Sequence, residues 1–170
     1  MSALLTHTPL WVWAILALLV ERGLAAARPN RITPGRLLLL PLVFSVAGAA
    51  SLAHTGALLP VAVAAAAIGL VIGGAAGWAV FAAQDGYQWH AGMLQRPGSW
   101  RMLACSVAAF LVKFGVATAM GWQPALAAGT SGALLAGIVT GAASGLLWGA
   151  CATQLLLGRA TVRTLTILEA

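Results

Sequence analysis

The sequence is poor in charge, and poorest in acid. Only 7% of its 170 residues are charged, and three of these are acidic: Glu21, Asp85 and Glu169. A soluble domain carries about 25% charged residues. With so few carboxylates, paired-carboxylate acid/base chemistry has almost no candidates. There is no G-x-S-x-G, no P-loop and no H-E-x-x-H, which removes the common hydrolase, nucleotide and zinc-protease signatures. Cysteine is scarce too. Cys105 and Cys151 both lie inside apolar runs, in no C-x-x-C or C-x-x-C-H arrangement, so they read as small packed side chains and not as a disulfide framework. The chain is therefore read as non-enzymatic and as needing no cofactor.

What the sequence has is apolar length. It is 61% hydrophobic, and a water-soluble chain of that character would expose large adhesive patches. Five apolar runs stand out, at residues 8–27, 37–53, 58–82, 102–120 and 130–157. Each is long enough, or nearly so, to cross a hydrocarbon core of about 30 Å. Inside lipid every backbone N–H and C=O must be paired within the chain, which makes helix the economical choice. The fold class expected is an all-α polytopic membrane bundle with no separate soluble domain. The first run resembles a secretory h-region followed by the small residues Gly23 to Ala27, but Met1 to Pro9 contains no Lys or Arg. It is read as an uncleaved first helix.

The net charge of +6 has the sign that nucleic acid attracts, but the basic residues are few and cluster at the ends of apolar runs. Arg22, Arg28, Arg31 and Arg36 flank the first loop, Arg96 and Arg101 the third, and Arg159 and Arg163 the tail, whereas the second and fourth loops have neither Lys nor Arg. This alternation is a topology signal, and it predicts the N-terminus outside and the C-terminus in the cytoplasm. The lipid bilayer, not nucleic acid, is the expected partner. Trp11, Trp13 and Trp122 fall at the outer boundary, and Trp89 and Trp100 at the inner one, as interfacial aromatic belts require.

On the cytoplasmic side, residues Tyr87 to Leu94 have strand character between two turn signals. The tail from Thr161 to Leu168 is rich in β-branched residues. A small β-ribbon joining the two is expected, with a frayed or amphipathic tail as the alternative. An internal repeat is also legible. Pro34-Gly35-Arg36 and Pro97-Gly98-Ser99-Trp100-Arg101 open the second and fourth runs, and the glycine-rich stretches 69–77 and 137–145 match within the third and fifth. Duplication of one helical hairpin would make the copies parallel, a symmetry known in transporters.

Three sets of residues are candidates for function or assembly. Gly69, Gly73 and Gly77 share one helix face, and Gly137, Gly141, Gly145 and Gly149 share another. Such faces let backbones approach closely. They predict tight packing within the chain, with a homodimer or larger membrane complex as the alternative. Lys113 lies 12 positions beyond Arg101 in the fourth run, about 18 Å from the inner boundary. A cation there is expensive, and it marks a substrate or ion pathway by default. Glu21 is the one acid within an apolar run; its expected depth differs from that of Lys113 by about 8 Å, so pairing and independence both stay open. Arg22 is expected to snorkel to the headgroups. His7 and His54 sit at the outer ends of the first two runs, at one level. A haem or metal between them is conceivable, but interfacial polar residues are the plainer reading, with no metal. His90 stands alone in the third loop.

His7-Thr8-Pro9-Leu10-Trp11-Val12, Pro97-Gly98-Ser99-Trp100, Phe110-Leu111-Val112-Lys113-Phe114 and Gly141-Ala142-Ala143-Ser144-Gly145 together resemble an uncharacterised family of small bacterial multi-pass inner-membrane proteins, nearly end to end. More distantly the layout is similar to the CcdC-like membrane proteins linked to cytochrome c biogenesis. The resemblance implies fold and location and supplies no activity. Three functions are weighed: binding or transport of a small solute or ion with Lys113 at its centre, an accessory protein packing on a larger complex through its glycine faces, and a redox or haem-handling factor.

Overall fold

The computed structural model describes residues 30–84, 86–90, 93–96 and 99–168, together with Ala17, Glu21 and Leu24. These three are helical; the rest of the first apolar run lies outside the described residues. In chain order the elements are β1 (Asn30–Ile32), α1 (Pro34–Ala53), a 3-10 turn (Gly56–Leu58), α2 (Leu59–Ala82), β2 (Gln88–His90), β3 (Met93–Arg96), α3 (Trp100–Trp122), the short α4 (Pro124–Ala128) and α5 (Thr130–Leu168). Four segments are long and apolar enough to cross a membrane: Pro34–Ala53, Gly56–Ala82, Trp100–Trp122 and Thr130–Arg159. The span count among the described residues is thus four, against five expected from the whole sequence.

Local chemistry sets the helix ends. Pro34 lies in the first turn of α1, where its missing N–H costs nothing. Ser99 caps α3, its hydroxyl accepting from the Arg101 N–H at 3.2 Å. At the other end of α1, Thr55 donates its hydroxyl to the Leu52 carbonyl at 2.7 Å. Gly56, at φ +57°, then turns the chain in a conformation that side chains disfavour.

The bundle is organised around α5, which packs on α1, α2 and α3. The α2–α5 contact is the most intimate. A Cβ placed on Gly69, Gly73 or Gly77 would overlap backbone of Ile138, Ala142 or Leu146, and one placed on Gly137, Gly141, Gly145 or Gly149 would overlap the carbonyls of Ala62, Ala66, Leu70 or Gly74. The contacts advance together along both chains, so α2 and α5 run parallel. Both glycine faces are consumed by each other. Elsewhere the bundle presents apolar side chains outward, among them Val46, Val63, Val71, Leu111 and Val112, which is the surface a lipid-facing protein needs and a soluble one cannot carry.

Two further layers complete the fold. Leu40, Phe44, Phe81, Met102, Ala143, Leu147 and Ala150 form a core shared by all four long helices. At the basic end a three-stranded antiparallel sheet of order β1-β3-β2 lies across the bundle. Arg31 faces Gln95 across β1 and β3, and Trp89 faces Leu94 across β2 and β3. Leu94 is wholly buried and clusters with Leu37, Tyr87 and Cys151. It seats over Gly158 of α5, where an added Cβ would come within 2.5 Å of its Cδ1.

The sheet corrects one expectation. The strand partner of the third loop is Asn30–Ile32, not the tail: Thr161 to Leu168 continues α5 as helix. The reason is context. A helix already propagating adds each hydrogen bond cheaply, and β-propensity acts only where a neighbouring strand offers a pleated surface. The fourth loop also differs, since Pro124 opens one short helix there.

Candidate functional site

Lys113 lies near the middle of α3, and its side chain is neither fully buried nor fully exposed. Its ammonium is directed toward α1 and α5. The position that a Cβ on Gly48 would occupy lies 3.7 Å from Lys113 Nζ, 3.8 Å from Ser144 Oγ and 2.6 Å from the Thr140 methyl. Three helices therefore meet closely here, with α3 supplying the cation, α5 the hydroxyl, and a Thr140 methyl of α5 filling the place that a side chain on α1 would take. Ser144 is 5% exposed and Thr140 7%.

The buried Thr140 and Ser144 hydroxyls both differ from three others in the bundle. Ser106, Thr118 and Thr153 each return their hydroxyl to the carbonyl four residues earlier, at 2.7, 2.9 and 2.8 Å, as such residues do in apolar helices. Thr140 and Ser144 make no such bond among the described residues. One turn toward the basic end, Phe44, Phe110 and Leu147 belong to the shared apolar core and its margin. Phe110 and Phe114 stack on the same face of α3, with ring centroids 6.0 Å apart. Trp148 donates its indole N–H to Ser45 at 3.0 Å and ties α5 to α1 one turn from the point.

Glu21 is exposed and forms no ion pair with Lys113 among the described residues. No acidic residue occurs in the four membrane-length segments. Gln154 is buried at 1% exposure, and its Oε1 has no hydrogen-bond partner among the described residues. It lies on the same stripe of α5 as Leu147 and Ala150, toward the basic end, apart from Lys113.

The remaining candidates are dispersed. His54 is exposed at the end of α1, His90 pairs with Met93 in the hairpin, and His7 lies outside the described residues. Cys105 and Cys151 form no disulfide among the described residues and belong to different packing clusters. Among the described residues no group of three or more His, Cys, Asp or Glu is placed to hold a metal.

Gly48, Thr140 and Ser144 were not singled out from sequence. A signal existed: Thr140 and Ser144 are four apart in an apolar run and so share a helix face. The neighbouring glycine series drew attention to the adjoining face instead.

No protein-family model matches the chain, and no solved structure matches it. An uncharacterized protein of Pasteurella multocida (strain Pm70) is 40% identical over 42 residues, which is 25% of this chain. The match spans 33% of that protein's length.

Proposed function

We propose that the chain is a five-span protein of the bacterial inner membrane, N-terminus outside and C-terminus inside, which binds or moves a small solute or ion at a site centred on Lys113. The convergence of Lys113 Nζ and Ser144 Oγ over Gly48 carries this reading. A cation held at that depth among apolar helices is costly, and burying an uncompensated polar group serves no packing purpose. The accessory reading is less well supported, because the glycine faces it relied on meet each other within the chain. The redox and haem reading has no gathered ligand or thiol set among the described residues to build on. Duplication of a helical hairpin fits the parallel run of α2 and α5, and is part of the same proposal as the origin of the fold.

The test is uptake in proteoliposomes. Wild-type protein is expected to move a solute, and Lys113→Met to abolish that movement. Flux unchanged by Lys113→Met removes Lys113 from the function.

A further inference from the structure

We infer that the seam between α2 and α3 at the basic end holds the headgroup of an anionic phospholipid, with Arg101 gripping its phosphate. The inference needs only that the helices span a bilayer, and it stands apart from the reading of Lys113.

Charge is the first argument. Lys113 is the only lysine in the chain, so every other basic side chain counted in the net charge is an arginine. Arg31, Arg36, Arg101 and Arg159 are exposed. Glu21, inside the first apolar run, is the only acid among the described residues. The N-terminal turn of a helix favours a carboxylate. The first turns of α1 and α3 have none and carry Arg36 and Arg101 instead. Among the described residues the positive charge of this end has no countercharge, and an anion from outside the chain supplies one.

Geometry is the second. Arg101 donates through one Nη to the Val80 carbonyl at 3.5 Å. A guanidinium carries its N–H donors in a fixed fork. The bond holds the head of Arg101 against α2 and leaves other donors of the fork open. Such a fork matches a phosphate through two parallel bonds, which an ammonium cannot do. A side chain already held also loses less freedom on binding. Orientation in the membrane needs charge alone, and lysine would serve it as well.

Setting is the third. α3 packs on α5 and α4 more than on α2, and Arg101 crosses the seam between α2 and α3. Val80 and Trp100 beside it are 38% and 64% exposed. A cation, an outward indole and outward apolar surface thus stand together where a membrane-length helix begins. They match the phosphate, the interface and the acyl chains of a phospholipid in turn. Free phosphate has nothing to offer the apolar flank, so the lipid is the source.

The experiment uses the full chain in a mild detergent, with bound lipid counted by native mass spectrometry. Phosphatidylglycerol is the anionic probe, beside phosphatidylcholine and inorganic phosphate. Wild type is expected to bind phosphatidylglycerol more tightly than phosphatidylcholine. Arg101→Gln should lower that preference about tenfold, the scale of one charge-assisted hydrogen bond. Arg163→Gln removes the same charge from the tail and should change it by at most about twofold, because screening weakens a charge that does not touch the lipid. Arg101→Lys keeps the charge without the fork and should retain only part of the preference. Helical circular dichroism certifies each variant as folded. Equal losses in Arg101→Gln and Arg163→Gln mean diffuse attraction and overturn the site. Equal binding of the two lipids overturns it too, as does Arg101-dependent binding of inorganic phosphate with no preference between them. A full wild-type preference in Arg101→Lys overturns the fork as the grip.

Discussion

Pro41 lies inside α1 and is buried there. Having no N–H, it leaves the carbonyl four residues earlier, that of Leu37, without its helical donor. The Cys151 thiol of α5 supplies the replacement at 3.5 Å. A cysteine that reads from sequence as simple packing thus also repairs a helix and pins α1 to α5. Cys151→Ala is expected to lower stability by roughly 0.5–1.5 kcal/mol, the range for one side-chain hydrogen bond in a membrane bundle, and Cys151→Ser to recover part of it. Unfolding of the detergent-solubilised protein followed by helical signal measures both; equal stability of wild type and Cys151→Ala would show that the bond contributes nothing. Lys113→Met should act in the opposite direction. It removes a cation from mid-helix and is expected to raise the unfolding midpoint while abolishing solute binding, the trade expected when a residue is kept for function at the expense of stability. A lower midpoint would mark Lys113 as structural.

At the scale of elements, α2 and α5 form the joint on which the bundle depends. Gly73→Ala and Gly141→Ala would each drive a methyl into a facing backbone carbonyl, whereas Gly115 and Gly121 of α3 have nothing within 4 Å of an added Cβ. The first pair is expected to cost about 1–3 kcal/mol by overpacking. The second pair should be neutral, or stabilising by up to about 1 kcal/mol through helix propensity. Four variants in one thermal series decide this, and equal effects would refute the joint. The same elements show what the sequence could disclose. Span positions were legible because an apolar run of that length has few other fates, and so was strand character in the third loop; that the loop pairs with itself as β2 and β3 was not. The third strand was not legible. Asn30-Arg31-Ile32 is three residues beside a proline, with no alternation to read, and becomes a strand only because β3 lies alongside it. The tail misleads for the converse reason: its β-branched residues have no strand to join. The site was half legible. Lys113 announces itself by charge in an apolar run, but Gly48 and Ser144 have meaning only once α1, α3 and α5 are brought together. An Arg31→Cys/Gln95→Cys pair is expected to oxidise readily, since paired antiparallel positions have the Cα spacing a disulfide needs. Failure to cross-link would remove β1 from the sheet.

For the whole molecule, the exposed side chains of Arg31, Arg36, Arg101 and Arg159 gather with the sheet at one end, and the turn around Thr55 and Gly56 lies at the other. Arg101 reaches across to the Val80 carbonyl at 3.5 Å, near the C-terminus of α2, where a cation suits the helix dipole. The charge proposed to orient the bundle therefore also helps to close it. If the basic end is cytoplasmic, single cysteines introduced on a Cys105→Ala/Cys151→Ser background should divide cleanly with a membrane-impermeant maleimide. Thr55→Cys is expected to label in intact bacterial cells and Gln95→Cys only after lysis. His7→Cys carries the sharper information, because it lies before the first apolar run. Labelling in intact cells requires that run to cross the membrane between His7 and the basic end, making five spans in all. Labelling of His7→Cys only after lysis, with Thr55→Cys still exposed outside, would leave four spans and place the N-terminus on the cytoplasmic side, beside the sheet.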